Sequence, residues 1–256
     1  MSTQWRPDLV SEDLLQLSAS LGDPAKDLVI LAEGNTSRRH DADSFVVKTS
    51  GSYLSRVTAG DFVRTEIEPL MALIDDPASI QQDLSELLDA GEHDGVRRKG
   101  SIETLIHAAV HALAPAAYVA HTHPTPLVTL LSSVHAATAF EEWVYSDEAV
   151  VVGRPLFVPY AEPGLALGRL FTRCLREALA ERPEPPSLIL LGNHGIVTRA
   201  ETAEAAEAIT LMALKGARIR IGALSIGGVA GLGSDTVDHY FTRADMTERR
   251  RQIAGL

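Results

Sequence analysis

The spacing of apolar residues predicts that helices and short strands alternate along the chain. Leucines recur at helical intervals over residues 9–21, as expected for a helix with one buried face. The same argument predicts a short helix after Pro124, a basic helix at the tail, and longer helices over residues 79–90, 102–113, 164–180 and 201–222. Ser101 precedes one of these helices, where its hydroxyl can accept from free N–H groups.

Short apolar runs that end at glycine or proline are typical of β-strands. Gly153 divides one such run into two strands, and a glycine-rich turn divides another. The runs cover residues 28–34, 44–51, 116–123, 149–159 and 187–198. The charged segment 92–100 and the glycine-rich segment 222–233 are predicted to be loops. No linker is long enough to separate domains, so we predict one α/β domain over residues 1–256.

Composition limits the partners that this chain can have. The chain has 256 residues, and its formal net charge of −11 argues against nucleic acid and anionic membranes, which need a basic patch. The densest basic runs, 97–99 and 249–251, are short, and no stretch is apolar enough to span a membrane. The polar, acidic N-terminal segment does not resemble a signal peptide. Since Cys174 is the single cysteine, a reducing cytoplasm is the expected location.

Two histidines end the predicted strand 116–123. Side chains alternate faces along a strand, so His121 and His123 point to the same side. Their imidazoles can converge on one cation, and a catalytic zinc usually takes three protein ligands. His194 is the best candidate for the third, because flanking glycines allow a tight turn at a strand end. The alternative for each histidine is a hydrogen-bonded residue that binds no metal.

The predicted helix 102–113 offers a competing set of ligands. Glu103, His107 and His111 are four residues apart and share one face. Buried, hydrogen-bonded histidines are the alternative, which we favour for His111 and leave open for His107. Glu103 can ligate metal, cap the helix or act as a general base, and the last role requires burial to raise its pKa toward neutrality.

Two turns rich in glycine and hydroxyl groups are candidate anion sites. They are GNTS (34–37) and TSGS (49–52), and each offers backbone N–H groups and side-chain hydroxyls. Ser101, at a helix start beside the basic run 97–99, can add a third wall.

The ordered set of these motifs resembles the class II aldolase/adducin family. The motifs are AEGNTS (32–37), KTSGSYL (48–54), SIETLIH (101–107), HTHP (121–124) and LGNHGIV (191–197). The resemblance implies a three-layer α/β/α domain around a mainly antiparallel β-sheet. It also implies a homotetramer with active sites between subunits, and a divalent metal, usually Zn²⁺ but alternatively Mn²⁺ or Co²⁺.

The resemblance also assigns roles to individual residues. It makes Glu103 the catalytic acid/base, and a tyrosine from a neighbouring subunit, Tyr145 or Tyr240, the proton donor to the aldehyde oxygen. The implied metal ligands are His121, His123 and His194. The implied phosphate-binding residues are Gly34, Asn35, Ser50, Gly51 and Ser101.

This chain departs from the family pattern before its glutamate. Phosphate-binding members often have two serines there, and Ile102 replaces the second. This favours a smaller anion such as a carboxylate, unless Lys48 and the basic run 97–99 compensate. The related epimerases usually have aspartate where Glu103 stands, which favours an aldolase. Asp147 nevertheless lies roughly where an epimerase would have its proton donor.

The expected function is that of a metal-dependent lyase. Its substrate would be a sugar phosphate, such as a ketose phosphate, or a similar anion. Cleavage would give a dihydroxyacetone phosphate-like ketone and an aldehyde, with the metal stabilising the enediolate. Alternatives within the same family are a decarboxylase of an oxo- or hydroxy-acid and a pentulose-phosphate 4-epimerase. A non-enzymatic, adducin-like interaction module is a further alternative.

Overall fold

A central β-sheet of eight strands organises the computed structural model, which describes residues 2–182 and 184–254. The strands are β1 (Thr3–Gln4), β2 (Asn35–Arg39), β3 (Ser44–Lys48), β4 (Phe62–Glu66), β5 (Asp89–His93), β6 (Val96–Lys99), β7 (Tyr118–Thr122), β8 (Leu156–Val158), β9 (Leu188–Leu191) and β10 (Gly195–Ala200). The sheet order is β1-β4-β3-β2-β7-β10-β9-β8, while β5 and β6 form a separate hairpin. Only β8 and β9 are parallel neighbours among these described strands, so the predicted mainly antiparallel sheet is confirmed.

Helices cover both faces of the sheet. They are α1 (Glu12–Leu21), α2 (Ile67–Asp75), α3 (Gln81–Leu87), α4 (Thr104–Leu113), α5 (Thr125–Leu131), α6 (Ser146–Val152), α7 (Leu165–Glu181), α8 (Ala203–Ser225), α9 (Ser234–Thr242) and α10 (Ala244–Ala254). Along β7, Tyr118 and Ala120 pack with α1, α5 and α8, whereas Val119 packs with α4 and α7. The alternation of side chains along a strand thus builds two cores, and the three-layer α/β/α fold is confirmed.

The predicted strand over 28–34 is wrong. This segment is a loop in which Ile30 and Leu31 are 63% and 68% exposed, and Leu31 has a φ of 51°. The strand is instead the polar segment Asn35–Arg39, which pairs with β3 and β7. Its buried polar side chains have hydrogen-bond partners on α4, so the sheet accepts them without an apolar pattern.

Two other element predictions are corrected by the structure. Residues 149–152 belong to the short helix α6, which ends at Gly153 with a φ of 66°. The charged segment 92–100, predicted as a loop, contributes to the β5–β6 hairpin. Asp94 and Gly95 form its two-residue turn with φ values of 52° and 74°, and Asp-Gly is a typical signal for this turn.

A buried ion pair holds α6 against α8. Arg220 and Glu148 are each 1% exposed, and the Arg220 guanidinium also donates to the carbonyl oxygens of Ala139 and Glu142. Glu148 in turn accepts from the backbone N–H of Val144 at 2.9 Å. The pair thereby fixes the connection between α5 and α6.

Removal of one partner from this pair is expected to destabilise the protein strongly. Glu148→Gln leaves the Arg220 charge buried without its counterion, and breaking such pairs costs about 3–5 kcal/mol. The matched control is Asp75→Asn, because Asp75 and Arg176 form an exposed pair for which the cost is about 1 kcal/mol or less. Urea unfolding of both variants measures the difference, and similar losses for the two would contradict the structural role of Arg220.

Candidate metal centre

Two histidines lie at the C-terminal end of the central strand β7. His121 lies between Asn35 on β2 and Val197 on β10 in the strand register, and its side chain is fully buried. His123 follows the end of β7, where its backbone N–H donates to the carbonyl oxygen of Leu28 at 2.8 Å. Both rings lie on the α4 side of the sheet, as strand alternation requires.

The turn between β9 and β10 carries His194 to the same place. Asn193 adopts the left-handed conformation, with a φ of 52°, and Gly195 begins β10. A Cβ atom at position 195 would lie 2.4 Å from the carbonyl oxygen of Thr122 and 2.6 Å from Cδ2 of His123. Glycine is therefore needed for β10 to approach β7 closely enough to bring the three rings together.

The three imidazoles and one carboxylate converge. Glu103 Oε1 lies 2.9 Å from Nε2 of His194 and 3.3 Å from Nε2 of His121, while the Nε2 atoms of His121 and His123 are 2.8 Å apart. The potential ligand atoms of all four residues lie within 4.8 Å of one another. Two distant chain segments and the start of α4 thus form one cluster that can bind a metal ion.

The chemistry of these donors fits a cation. His121 Nδ1 lies 2.9 Å from the carbonyl oxygen of Ile196, so Nδ1 carries the hydrogen and Nε2 presents its lone pair to the cluster. That lone pair faces Nε2 of His123 and a carboxylate oxygen of Glu103, and such electron-rich atoms need a proton or metal between them. Three nitrogens with one oxygen suit zinc and its neighbours in the first transition series.

The pKa values reflect the same crowding. Burial pushes the pKa of Glu103 upward, but the charges and hydrogen bonds of His121 and His194 outweigh burial and hold it well below its usual value. Burial opposes the charged form of His121, yet Glu103 raises its pKa above the usual value. Burial, followed by the charge of His121, lowers the pKa of His123 to about 3. The general-base role of Glu103 requires a raised pKa, whereas in this state the neighbouring imidazoles outweigh burial and keep Glu103 a carboxylate.

The histidines of α4 do not belong to the group of four side chains that can bind a metal. His107 and His111 are buried, and both rings contact Ser37 Oγ, at 2.7 Å from Nδ1 of His107 and 2.9 Å from Nε2 of His111. Burial lowers the pKa of both, and in His111 it lowers it to about 3. The prediction that His111 is a buried, hydrogen-bonded histidine is confirmed, and the same description applies to His107.

The candidate anion turns lie next to this cluster. A β-bridge joins Thr49 to Gly100, which places the exposed turn Ser50–Gly51 beside Ser101. Ser101 Oγ accepts from Asn35 Nδ2 at 3.1 Å and from the backbone N–H of Glu103 at 3.3 Å. Gly34 has a φ of 67° and lies under His121, because a Cβ atom there would be 2.8 Å from the His121 carbonyl oxygen. Asn35 is 2% exposed, and its side-chain amide contacts protein groups.

The buried side chain of Lys48 connects these turns. Its buried ammonium donates to the carbonyl oxygens of Ala32, Thr49 and Ser52, which ties the loop before β2 to the turn after β3. Burial lowers the pKa of Lys48 to about 8, against partial compensation by the charges of Glu103 and Asp61.

This lowered pKa predicts how stability depends on pH. Between pH 8 and 10.5 the unfolded chain retains the Lys48 proton that the folded chain has lost, so the free energy of unfolding should rise with pH by up to about 3 kcal/mol. Below pH 8 both states are protonated and the cost of burial is fully present. Lys48→Met should remove this rise in urea titrations across the range, whereas Lys215→Met, at an exposed site, should retain it. An unchanged slope in Lys48→Met would refute the assignment.

The candidate proton donors lie elsewhere within the chain. The Tyr145 hydroxyl contacts Sδ of Met212, and the ammonium of Lys215 lies 4.8 Å from its ring centroid. Both partners are on α8, in the layer opposite α4. Tyr240 lies in α9, and its side chain is outside the described part of the structure. Asp147 Oδ1 accepts from Arg249 at 3.0 Å.

A cleft opens to solvent beside His123 and His194. Asp27 and Glu33 contribute carboxylates to its wall, and the remaining lining residues are Val29, Ile30, Thr125, Val128, Thr129 and Ser132. Glu33 Oε2 lies 3.6 Å from Nδ1 of His123. Sequence reasoning missed this acidic wall, although Glu33 directly precedes the first glycine turn. The acidic cleft thus opens beside two of the three histidines of the cluster.

With the fold and this cluster defined, the chain can be assigned to a family. Residues 12–221 match the family model described as class II aldolase and adducin N-terminal domain. The chain therefore belongs to the class II aldolase/adducin family.

A curated relative of this chain has low sequence identity to it. The chain is 28% identical over 179 residues to the uncharacterized oxidoreductase YuxG of Bacillus subtilis (strain 168), a match that covers 67% of this chain and 24% of that protein. The chain thus spans about a quarter of the length of this relative.

Solved structures share the fold at low sequence identity. YgbL from Klebsiella pneumoniae, described as a candidate aldolase, epimerase or decarboxylase, has a TM-score of 0.65 at 19% identity, covering 91% of this chain and 98% of that chain. L-fuculose 1-phosphate aldolase from Glaciozyma antarctica PI12 has a TM-score of 0.62 at 15% identity, covering 98% and 91%. Among the described residues, none of the helices combines the length and apolar character that crossing a membrane requires.

Proposed function

We propose that this protein is a metal-dependent aldolase that cleaves a ketose phosphate-like substrate to a dihydroxyacetone phosphate-like ketone and an aldehyde. The observation that carries the proposal is the position of Glu103, whose Oε1 faces His121 and His194 while anion turns lie beside it. Family membership and the fold shared with sugar-phosphate aldolases support it.

The proposed metal ligands are His121, His123 and His194. A divalent ion held there, Zn²⁺ with Mn²⁺ or Co²⁺ as alternatives, supplies a Lewis acid that stabilises negative charge on substrate oxygens. The hydrogen bond from His121 Nδ1 to the carbonyl oxygen of Ile196 fixes the orientation of that ring.

Glu103 is the proposed acid/base. Its Oε2 accepts from Asn35 Nδ2 at 2.8 Å, which leaves Oε1 on the side of the imidazoles to take or return a proton. Oε1 contacts His121 and His194 in this structure, and if a metal took the Nε2 lone pairs of those rings, Oε1 would be left to move the proton at the carbon next to the ketone carbonyl.

The charged and polar groups around the cluster suggest which parts of a substrate it would accept. The proposed anion site consists of Gly34, Asn35, Ser50, Gly51 and Ser101. Ser50 and Ser101 would contribute their hydroxyls, because their backbone N–H groups already donate to the carbonyl oxygens of Lys99 and Lys48. The side-chain amide of Asn35 already contacts Glu103 and Ser101, and its backbone pairs with His121 on β7, so Asn35 would act chiefly by holding Glu103 and Ser101 in place. The acidic wall of Asp27 and Glu33 would repel a second anion, so an uncharged aldehyde is the proposed second product.

A decarboxylase of an oxo- or hydroxy-acid is the second candidate. Ile102 is 39% exposed at the position where a hydroxyl would extend the anion site, which favours a carboxylate over a phosphate. A 4-epimerase is less favoured, because Asp147 is paired with Arg249 and Glu103 is one methylene longer than the aspartate of the epimerases. An adducin-like interaction module would have no need for the intact ligand cluster.

The remaining expectations stay predictions. A homotetramer would allow Tyr145 or Tyr240 of a neighbouring subunit to reach the site, and sedimentation velocity tests it. We also propose a single domain over residues 1–256, because no long linker divides the sequence, and a cytoplasmic location, because Cys174 is the single cysteine.

A screen of the metal-loaded protein tests the proposed reaction. Ketose 1-phosphates are assayed for aldehyde release, oxo- and hydroxy-acids for CO₂ release, and pentulose 5-phosphates for epimerisation by NMR. Glu103→Gln provides the matched inactive control. Aldehyde release that disappears in this variant supports the aldolase, CO₂ release supports the decarboxylase, and metal-loaded protein inactive in every assay would refute both.

A further inference from the structure

A chain of buried hydrogen bonds leads from Glu103 into the protein. Asn35 Nδ2 is 2.8 Å from Glu103 Oε2, and Asn35 Oδ1 contacts Nε2 of His107. Nδ1 of His107 is 2.7 Å from Ser37 Oγ, which is 2.9 Å from Nε2 of His111. All four residues behind the carboxylate are buried, with exposed fractions of 2% or less for Asn35, Ser37, His107 and His111.

The orientation of the Asn35 amide determines in which direction these hydrogen bonds donate. The Asn35 amide nitrogen faces both Glu103 Oε2, at 2.8 Å, and Ser101 Oγ, at 3.1 Å, while the amide oxygen faces Nε2 of His107. Since an amide oxygen only accepts, the hydrogen of His107 must be on Nε2. Burial keeps the His107 ring neutral by lowering its pKa well below the usual value, so Nδ1 is bare and accepts from the Ser37 hydroxyl.

The same reasoning extends to the last ring. Once Ser37 donates to His107, its oxygen must accept from His111, which places the hydrogen of His111 on Nε2. Nδ1 of His111 has no hydrogen-bond partner of normal geometry within the described ranges, although the backbone of Ala116 acts on this ring to raise its pKa against burial. Every donor therefore points toward Glu103, and aligned hydrogen bonds of this kind polarise one another.

We propose that His107 and Ser37 are positioning residues, which lock the Asn35 amide so that its nitrogen holds Glu103 Oε2 and Oε1 is left as the working oxygen. Without His107, the Asn35 amide could turn by 180° and set its oxygen against the carboxylate. Glu103 would then lose its fixed orientation. This inference rests on the proposed function for its catalytic consequence, but the locked amide is independent of any reaction.

An NMR measurement tests the lock without an activity assay. The chain has only two asparagines, Asn35 and Asn193, so ¹⁵N-asparagine labelling gives two side-chain NH₂ groups. The Asn35 group should exchange with solvent far more slowly than that of the exposed Asn193. His107→Leu should remove this difference and His107→Gln, which keeps a donor toward Asn35, should largely restore it. Equal protection of Asn35 in wild type and both variants would overturn the proposal.

Imidazole NMR tests the direction of the chain in the unmodified protein. Long-range ¹H–¹⁵N correlations of ¹⁵N-histidine-labelled protein distinguish the neutral tautomers, and comparison with His107→Gln and His111→Phe assigns the two rings. Both rings should be neutral with hydrogen on Nε2. Hydrogen on Nδ1 of His107 would overturn the proposal even if the Leu variant does not fold.

Kinetics then test the consequence at Glu103. If the protein cleaves its substrate, His107→Leu should lower kcat by roughly 10²-fold through misplacement of the base, with KM changed about twofold or less and metal content unchanged. Ser37→Ala should have a smaller effect in the same direction, and His107→Gln should recover most of kcat. An unchanged kcat in a variant whose Asn35 amide has lost protection would refute the positioning role. A protein without activity but with a locked amide refutes the proposed function alone.

Discussion

Glu103→Gln is expected to lower carbon–carbon bond cleavage by about 10³-fold while the protein still binds its metal. Proton transfer by a positioned side chain typically contributes 10²- to 10⁴-fold, and a glutamine amide cannot take a proton at the position of Oε1. The substitution keeps the size of the side chain and an oxygen that can still accept from Asn35 Nδ2. Steady-state kinetics with the substrate found in the screen, together with metal analysis, measures both quantities.

Two further variants serve as controls for Glu103→Gln. Glu86→Gln makes the same chemical change at an exposed position of α3 and should leave both activity and metal content unchanged. Glu103→Asp retains the carboxylate but withdraws it by one methylene, so it should recover only part of the activity. Full activity in Glu103→Gln would exclude Glu103 as the base, and joint loss of activity and metal would make it a ligand instead.

His121→Ala is expected to weaken divalent metal binding by at least about 10²-fold and to abolish activity with it. Loss of a group that merely supports a metal ligand typically costs 10- to 100-fold in affinity, so loss of a ligand should cost at least as much. His121 is central because its Nε2 lies close to both Glu103 and His123. Metal affinity is measured by titration calorimetry on stripped protein and metal content by elemental analysis after repletion.

The exposed His135 offers the matched control. His135→Ala removes an imidazole on the surface after α5, so it should retain metal affinity and activity. If His121→Ala also kept its metal, the three-histidine site would be refuted regardless of which reaction the protein catalyses. Circular dichroism of both variants establishes that the fold survives, because His121 is buried in the sheet.

The sequence predicted the parts of this protein that follow local periodicity. The long helices and the strand that carries His121 were placed within a few residues, because a buried face imposes a 3.6-residue or 2-residue repeat of apolar side chains. Alternation also predicted that His121 and His123 share one side. The class of fold came from the order of five motifs, none of which is decisive by itself.

The errors occurred where tertiary contacts override local pattern. Residues 28–34 are apolar but form a loop, whereas the polar segment Asn35–Arg39 is a central strand because α4 supplies partners for its side chains. Residues 149–152 are rich in valine but helical, and the buried pair of Glu148 with Arg220 anchors that helix.

By itself, the sequence determined which residues could bind a metal and on which face of β7 two of them lie. Only the tertiary structure decided that His194, contributed by a turn some seventy residues later, and Glu103, at the start of a helix, reach the same few ångströms. It also decided that His107 supports Asn35 rather than a metal, and that Glu103 is held as a carboxylate. Local patterns depend on neighbours along the chain, whereas convergence, burial and the direction of hydrogen bonds depend on neighbours in space.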